Sequence, residues 1–478
     1  MKGLFDNAIS ERERLDLKLG VSLSNKQISE LKSNIIWYVE ENINGKKVLI
    51  PKVYLTKNNF KYPSTSIEAT GNLNIVADEV FNASNMSAKK VSLELNNLTN
   101  ISLSKNLASI NGENIDIKAK NNISNIGSII SAKNNLNISA IQIKNISTQH
   151  INTNVEGIKK STLENISKIE AGNNILIKTD SLKNLAGNIK SGNDLNIKSS
   201  DVEIGDISLN NKENKRKYEL NIVDTIGSEI SGKNIHIDNK NNIKISGSNI
   251  KAEEKVSINS GNISIASTEN KFYQKDGDGG NHRINEVKKN NSSNIEGNNI
   301  NINAKNDVDI KGSNIVAKEE VNIKADGDIN IVSATDSEYF AYKESRKKKF
   351  GRSRSEETIN YRTSNVASNI VGDKVNITSG KDVNILGSNV VAQDSGNISA
   401  KGNITEAATK DINYSYHQKT KKGFGGLTGK SVTEELHQEI NAESNLYVKN
   451  KAIIDGDIKV LGSNLVLGDN SIINGKLT

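Results

Sequence analysis

A short basic and aromatic segment carries the side chains best suited to contact a charged partner. Residues 339–354 hold seven Lys or Arg and four aromatic residues. Cations beside aromatic rings bind anionic partners by charge and stacking, which predicts contact with glycans, lipopolysaccharide or nucleic acid. The candidate partner-binding residues are Tyr339, Phe340, Tyr342, Arg346, Lys347, Lys348, Lys349, Phe350, Arg352 and Arg354. The alternative is a solvated hairpin whose aromatic side chains cover a strand edge and whose lysines keep it soluble.

Carboxylates are the second group of candidates. Four aspartates could align on neighbouring turns of a repeat: Asp307, Asp309, Asp326 and Asp328. Clustered carboxylates can hydrolyse glycans, so a polysaccharide-degrading enzyme is one hypothesis. Turns also favour Asp, and no nucleophile elbow, phosphate loop or metal motif accompanies these residues. We therefore expect no catalytic residue, no metal site and no cofactor.

Metal and thiol chemistry find little support. The run DGDGGN at 276–281 resembles a calcium loop, but Val287 stands where that pattern requires a glutamate. The five histidines are scattered without metal-ligand spacing. Cysteine is absent, which excludes disulfides and thiolate ligands. The acidic run is interpreted as a turn.

The elements that must position these residues are short strands that recur. Triplets such as Ile300-Asn301-Ile302 alternate apolar and polar residues, which is typical of strands. Ile302 of this triplet recurs as Ile323, and Ile295 before it recurs as Ile315. This second period, about 20 residues, is the length of one solenoid coil. The pattern predicts an all-β parallel β-helix with three short strands per coil.

The composition agrees with a narrow apolar core. The chain is 35% hydrophobic and 4% aromatic, with a mean hydropathy of −0.53, and stacked Ile and Val would suffice to fill a β-helix. Asn suits both the turns and a hydrogen-bonded ladder of side chains from coil to coil. The alternative is a disordered Asn- and Lys-rich chain, against which the regular triplets argue.

The net charge and the hydropathy limit the classes of partner and of membrane association that the sequence supports. A net charge of +7 is small beside 63 basic and 56 acidic residues, so the balance alone does not call for nucleic acid. No apolar run is long enough for a transmembrane helix, and the first residues lack a signal-peptide core. If the protein is exported, we expect this chain to be a fragment of a longer one.

Four regions are expected along the chain. Residues 1–17 are predicted to be disordered or a linker, and 18–65 to form a module with a short helix (25–32) and a hairpin turning at Asn44-Gly45. Trp37 is expected to bury an edge of this module, and a ligand contact is the alternative. Residues 66–209 are predicted to form an uninterrupted β-helix. Residues 210–478 are predicted to continue it with insertions at about 210–220, 269–291, 336–364 and 411–443. The last three lie between Gly-Ser-Asn tetrapeptides starting at Gly247, Gly312, Gly387 and Gly462.

Two stretches carry a family resemblance. The segment from residue 18, KLGVSLSNKQISELKSNIIWYVEENINGKKVLIPKVYLTKNN, resembles the conserved N-terminal module of filamentous-haemagglutinin-type exoproteins. The later repeats, such as NIEGNNININAKNDVDIKGSNIVA, and their Lys-, Gly- and Phe-containing insertions resemble the haemagglutinin repeats of that family. The family comprises large two-partner-secretion proteins, both adhesins and contact-dependent growth-inhibition toxins.

The resemblance implies a right-handed parallel β-helix that is secreted or displayed at the bacterial outer membrane. It implies an outer-membrane two-partner transporter for export and a receptor or glycan on a host or neighbouring cell. An adhesive rod is the leading functional hypothesis. A toxin stalk is the second, although neither a secretion-recognition domain nor a toxin region is found in this sequence, and a β-helical polysaccharide-degrading enzyme is the third.

Overall fold

The computed structural model describes residues 2–43, 46–54, 66–103, 107–154, 158–278 and 280–478. The chain divides into two compact units, Met1–Thr65 and Ser66–Thr478. In the described residues no helix combines the length and the apolar character that crossing a bilayer requires.

The N-terminal unit contains helices α1 (Lys2–Leu15) and α2 (Asn25–Glu30) and the antiparallel strands β1 (Ile35–Ile43) and β2 (Lys46–Tyr54). The expectation that residues 1–17 are disordered or a linker is wrong, because α1 occupies most of them. Ala8 and Leu15 lie on one face of α1 and are buried with Val39. Such a helix is stabilised by tertiary packing more than by its own propensity, which the polar sequence does not reveal.

The short helix and hairpin of this unit form as predicted. Ser24 Oγ accepts from Gln27 N (3.3 Å) and Gln27 Oε1 accepts from Ser24 N (2.9 Å), which is a capping box at the start of α2. Trp37 is buried, as expected, and its indole nitrogen donates to Lys18 O at 3.2 Å. The predicted Asn44-Gly45 turn lies outside the described residues.

The second unit consists of strands. In chain order they are β3 (Ser66–Asn82), β4 (Asn85–Ile101), β5 (Ser109–Ile126), β6 (Ile129–Ala132), β7 (Leu136–Ile146), β8 (Thr148–Thr153), β9 (Lys159–Asn165), β10 (Lys168–Ala171), β11 (Ile175–Leu185), β12 (Asn188–Ser191), β13 (Asp194–Gly205), β14 (Ile207–Lys215), β15 (Tyr218–Ile226), β16 (Glu229–Ser246), β17 (Asn249–Ser260), β18 (Asn262–Ala266), β19 (Thr268–Asp278), β20 (Asn281–Asn291), β21 (Asn294–Ala304), β22 (Val308–Lys311), β23 (Asn314–Ala325), β24 (Ile329–Val332), β25 (Ala334–Lys347), β26 (Ser353–Val366), β27 (Asn369–Ser379), β28 (Val383–Leu386), β29 (Asn389–Ala407), β30 (Thr409–Lys422), β31 (Gly429–Ala442), β32 (Asn445–Val448), β33 (Lys451–Leu461), β34 (Asn464–Leu467) and β35 (Ile472–Asn474).

Twenty-three of these strands form a parallel β-helix, which we call the rod. Ile302 pairs with Ile323 and Ile295 pairs with Ile315, so the period seen in the sequence is the step from one coil to the next, as predicted. Side chains alternate inward and outward along each strand. The inward ones, almost all Ile, Val, Leu and Ala, form one continuous buried core.

The remaining ten strands are five hairpins, and they pair with one another as one antiparallel sheet, which we call the hairpin sheet. Successive hairpins are separated along the chain by two coils of the rod. Coils and paired strands both repeat at about 4.8 Å, so two coils supply the width that two strands need. The hairpins therefore meet edge to edge rather than projecting separately.

One hairpin was not foreseen. Strands β8 and β9 pair between Thr148 and Asn165, inside the range 66–209 that was expected to be an uninterrupted β-helix. Most side chains of β8 are exposed. A strand with no buried face needs no apolar alternation, so the pattern that identifies the rod strands does not identify this hairpin.

Hairpins alternate with tight glycine turns at one corner of the rod. The coils without a hairpin turn there through a residue with positive φ, which is Gly at five places: Gly127, Gly247, Gly312, Gly387 and Gly462, with φ between +52° and +58°. Only Gly adopts this conformation without strain. The Gly-Ser-Asn tetrapeptides of the sequence thus mark the coils that lack hairpins.

Side-chain ladders join the coils. Buried Asn side chains donate to one another along the first half of the rod, over 2.7 to 2.8 Å, in the order Asn82, Asn100, Asn125, Asn145 and Asn184. A ladder of buried serines takes over in the second half, for example from Ser248 N to Ser293 Oγ (3.2 Å). The predicted Asn ladders are therefore present, and they satisfy polar groups that burial would otherwise leave unpaired.

Candidate partner-binding site

The basic and aromatic segment forms strands β25 and β26 and the loop 348–352 that joins them. Because neighbouring side chains of a strand point to opposite faces, the ten predicted residues do not form one patch. Four of them share one face of the hairpin sheet: Phe340, Tyr342, Arg346 and Arg354. Tyr339 and Lys347 lie on the opposite face, and the loop contributes Lys348, Lys349, Phe350 and Arg352.

Four cations from four adjacent strands line up on that face. Arg346 pairs with Arg354, Arg354 with Lys421, and Lys421 with Lys430. Directly opposed residues of antiparallel strands project from the same face, and adjacent strands are about 4.8 Å apart. We call these four residues the cation row.

Two glutamates hold the arginines of the cation row. Arg354 donates to Glu356 Oε2 at 2.9 Å, and Arg346 donates to Glu344, which also accepts from Tyr342 Oη at 2.7 Å. The hydrogen bonds from Tyr342 and Arg346 lower the pKa of Glu344, and that from Arg354 lowers the pKa of Glu356. Both carboxylates therefore remain charged and orient the guanidinium groups.

The two lysines of the cation row are less constrained. In the part of the chain that the structure describes, no ion pair joins Lys421 or Lys430 to a carboxylate. Their ammonium groups are therefore available to an external anion. Like charges in neighbouring strands repel one another, so an anion bound across the row would relieve a cost that the free protein carries.

The positive charge of the whole chain is concentrated here. Residues 344–356 and 419–430 contain ten Lys or Arg and two Glu, a net charge of +8. The other residues hold 53 basic and 54 acidic side chains, so the remainder of the chain is close to neutral. The overall charge of +7 is thus a local property of one end of the hairpins.

Exposed apolar side chains cap the same end. The rings of Phe350 and Phe424 stack with centroids 5.8 Å apart, and Gly425 N donates to Phe350 O at 2.9 Å. These contacts join the loops 348–352 and 423–428, which we call the tip. Phe350, Phe424 and Leu427 are 72%, 61% and 88% exposed, so most of their apolar surface is accessible to solvent.

Half of this surface comes from β30, β31 and the loop between them, which lie far along the chain from the basic and aromatic segment. Lys421, Lys430, Phe424 and Leu427 were not among the candidates. The tetrapeptides at Gly312, Gly387 and Gly462 are equally spaced along the chain, and this spacing was the signal that could have found them. The same step along the chain carries Arg346 onto Lys421.

Two predicted aromatic residues have partners within the hairpin sheet. The guanidinium of Arg283 lies over the ring of Phe340, 5.4 Å from its centroid. On the opposite face, Tyr339 lies in register with Tyr361, which pairs with Tyr414 in the next strand. Aromatic pairs across strands stabilise a sheet, so these residues support the hairpin sheet as well as offering surface.

The aspartates considered for catalysis join coils. Asp307 Oδ1 accepts from Asp328 N (2.8 Å), and Asp328 in turn accepts from Asp382 N (3.0 Å). Asp309 Oδ1 accepts from Asn330 Nδ2 (2.8 Å), and Asp326 is exposed. Among the described residues no three His, Asp or Glu side chains are placed to hold a metal ion.

The acidic run 276–281 lies where β19 ends and β20 begins. Asp278 forms an ion pair with Lys217 at 3.2 Å. Gly279 lies outside the described residues.

Comparisons with known proteins place the repeats in a family. The family model described as "Hemagglutinin repeat" matches residues 210–286, 276–349 and 348–433. The chain is 29% identical over 264 residues to "Protein adenylyltransferase and cysteine protease IbpA" of Histophilus somni, which covers 53% of this chain and 6% of that protein. It is 33% identical over 134 residues to "16S rRNA endonuclease CdiA" of Enterobacter cloacae, which covers 28% of this chain and 4% of that protein.

A shorter match has higher identity. It reaches 42% over 57 residues of "Deoxyribonuclease CdiA" of Dickeya dadantii, 12% of this chain and 2% of that protein. The chain thus spans a small part of the curated relatives it matches. No solved structure matches it.

Proposed function

We propose, because the chain belongs to the filamentous-haemagglutinin family of repeat-containing exoproteins, that it is an adhesive β-helical rod of a bacterial protein that is secreted or displayed at the outer membrane. In this proposal the rod supplies stiffness and the hairpin sheet presents its tip and cation row to a cell surface. The partner is an anionic glycan or a glycan-bearing receptor on a host or neighbouring cell. Export of the full-length protein would use an outer-membrane two-partner transporter.

One observation carries this proposal, namely that a nearly neutral chain concentrates a charge of +8 at one end of its hairpins. A cluster of this kind raises the local concentration of polyanions and speeds their association. Exposed Phe350, Phe424 and Leu427 add apolar contact area beside the cations. Surface lysines that served only solubility would be interspersed with acidic residues rather than gathered at one end of the hairpins.

The test is binding of the purified chain to intact cells over a range of salt concentrations. We expect the fourfold variant Arg346→Gln, Arg354→Gln, Lys421→Gln, Lys430→Gln to bind at least tenfold more weakly, because it removes all four charges of the cation row. A tenfold loss corresponds to about 1.4 kcal/mol of binding free energy. The matched control removes four exposed rod lysines that have no ion pair in the described residues: Lys133, Lys311, Lys324 and Lys401. Equal binding by the two variants would contradict the proposal and favour a solubility role for the basic hairpin.

The second candidate function is the stalk of a contact-dependent growth-inhibition toxin. The matches to proteins named CdiA support it. They cover only 4% and 2% of those proteins, as expected if this chain corresponds to a repeat region rather than to a nuclease domain. The reading frames that flank this chain's coding sequence decide between the two. A downstream toxin and immunity pair favours the stalk, whereas its absence beside a transporter gene favours the adhesin.

We propose no catalytic role for this region. The hydrogen bonds of Asp307, Asp309 and Asp328 between coils support a structural role for these carboxylates. The enzyme alternative requires glycan cleavage that is lost in the double variant Asp307→Asn, Asp309→Asn. Cleavage with that dependence would overturn this part of the proposal.

A further inference from the structure

A groove runs along the rod at a corner that carries no hairpins. It has a volume of about 800 Å³ and spans seven successive coils, from Ala119 in β5 to Lys305 beyond β21. Six steps of about 4.8 Å give it a length of about 29 Å. A groove this long and narrow suits a linear polymer better than a compact small molecule.

Lysines dominate the walls of this groove. Five of them line it: Lys120, Lys178, Lys198, Lys240 and Lys305. All five are exposed, and in the ranges that the structure describes no ion pair joins any of them to a carboxylate. Some other lysines of the rod do form ion pairs, as in Lys183 with Glu203 (2.8 Å) and Lys251 with Glu296 (2.9 Å). With Asp180 and Asp238 also in the lining, the groove carries five lysines against two aspartates, a net charge of +3.

The other lining residues suit a sugar polymer. Asp180 and Asp238 also line the groove, and their carboxylates can accept hydrogen bonds from hydroxyl groups. Ile141 is 54% exposed there and offers an apolar surface to the face of a sugar ring. No aromatic side chain is among the described residues that line the groove, so it lacks the stacking platform that single-stranded nucleic acid uses.

We propose that this groove binds an acidic polysaccharide whose negative charges are uronate carboxylates, with the five lysines pairing to carboxylates of successive sugars. Asp180 and Asp238 then accept from sugar hydroxyls, which a polymer of dense sulfate or phosphate groups does not offer to the same extent. Beyond Lys305 this corner becomes more acidic, because exposed Asp326 follows Ala325, the partner of Ala304, and Asp307, Asp328 and Asp382 are joined in a ladder close by. That row of carboxylates repels a polyanion and sets the length of chain that binds.

The site is separate from the tip and the cation row. The groove and the hairpins lie at different corners of a coil: in one coil residues 198–200 line the groove, and the hairpin 207–226 begins only after residues 201–205 of β13. Uronate binding to the groove therefore does not depend on the function proposed for the hairpin sheet.

The test is calorimetric binding of polygalacturonate to the full chain at low and physiological salt. We expect the triple variant Lys178→Gln, Lys198→Gln, Lys240→Gln to lose at least tenfold in affinity, and arginine at the same three positions to restore it. The control Lys133→Gln, Lys244→Gln, Lys311→Gln removes the same charge from exposed positions of the rod away from the groove and should bind as the parent does. The cation-row variant should also retain binding, which separates this site from the tip.

Four results would overturn the proposal. They are equal affinities of the groove and control variants, equal binding of neutral dextran, tighter binding of dextran sulfate than of polygalacturonate, and tighter binding of single-stranded DNA with the same dependence on the three lysines. Affinity for oligogalacturonates should also rise with length and level off once the oligomer fills the groove, and a continued rise would contradict the assigned boundary at Asp307.

Discussion

Gly247 lies directly against Thr268, so close that a Cβ on Gly247 would come within 2.2 Å of Thr268 Oγ1. Gly247 turns one coil with φ +52°, and Thr268 begins β19 in the next. Thr268 cannot simply rotate away, because its hydroxyl lies 3.0 Å from that of Thr225 at the end of β15. A single glycine thus supports the junction between two hairpins.

Replacing Gly247 with Ala should destabilise this junction. The left-handed conformation alone costs a residue with a Cβ about 1–2 kcal/mol, and displacing Thr268 adds to that cost. Amide hydrogen exchange should accelerate in β15 and β19 and change little in distant coils, since each coil contacts mainly its neighbours. Gly71→Ala is the control, because its added Cβ would meet no atom within 4 Å. Equal effects of the two substitutions would contradict this account.

Asn125 should be costly to remove because it lies in the middle of the buried ladder. Its side chain accepts from Asn100 Nδ2 (2.8 Å) and Ser128 Oγ (2.7 Å) and donates to Asn145 Oδ1 (2.7 Å). Asn125→Ala leaves these groups buried without partners, and each such group costs about 1–3 kcal/mol. We expect thermal unfolding to begin at a clearly lower temperature.

The matched substitution is Asn122→Ala. Asn122 is exposed and donates to Asn97 Oδ1 at 3.0 Å. Solvent replaces that bond, so the change should stay within about 0.5 kcal/mol. A loss at position 122 as large as that at 125 would show that burial is not the cause.

Glu406 should make the stability of the rod dependent on pH. Its side chain is fully buried, Oε1 accepts from Leu446 N (3.0 Å), and Oε2 has no partner among the described residues. Burial raises the pKa of Glu406 from 4.5 to about 7, although the bond from Leu446 opposes this. Well below pH 4.5 the carboxyl is protonated in both the folded and the unfolded state, so its ionisation contributes nothing to the free energy of unfolding.

Between pH 4.5 and 7 the unfolded state ionises first, so the free energy of unfolding should fall by about 3 kcal/mol and then level off. Glu406→Gln keeps the acceptor for Leu446 N and removes the charge. It should raise the melting temperature at pH 8 and flatten the pH dependence, whereas exposed Glu253→Gln should do neither. A variant that melts like the parent at both pH 5 and pH 8 would exclude a buried proton at this position.

The stacked rings of the tip should protect its loops from proteolysis. Phe424→Ala removes the stack on Phe350, and the basic loop 348–352 then loses its main side-chain contact with the loop 423–428. Trypsin should cleave after Lys348 or Lys349 several-fold faster, while the melting temperature of the rod stays the same. Phe81→Ala, on the rod and also exposed, serves as the control. An unchanged cleavage rate would mean that the Gly425–Phe350 backbone bond holds the tip alone.

The rod could be predicted from sequence because the alternation of apolar and polar residues that forms each strand is local and repeats along the chain. Ile302 and Ile323 are inward for the same reason, and the period that relates them is visible in the chain before it folds. The hairpin sheet depends instead on which hairpins become neighbours, as when Arg354 meets Lys421 although two coils separate their hairpins along the chain. The insertions and their charge are visible in the sequence, but the pairing between one insertion and the next is not.

Two smaller errors share one physical origin. Helix α1 and the hairpin β8–β9 were missed because their stability comes from packing or from neighbouring strands rather than from a strong local pattern. Asn211 in β14, for example, pairs with Lys160 in β9. Partners of this kind become visible only when the chain is folded.

The alternation of glycine turns and hairpins also restricts how such a protein can change its length. Removing one coil would leave a single coil between two hairpins. That coil gives the width of one strand, where the hairpin sheet must fit two. Adding one coil would open a gap in the hairpin sheet and leave two bare edges prone to aggregation. Growth and loss should therefore occur in whole modules of two coils and one hairpin, so recombination between repeats preserves this architecture only when it exchanges complete modules.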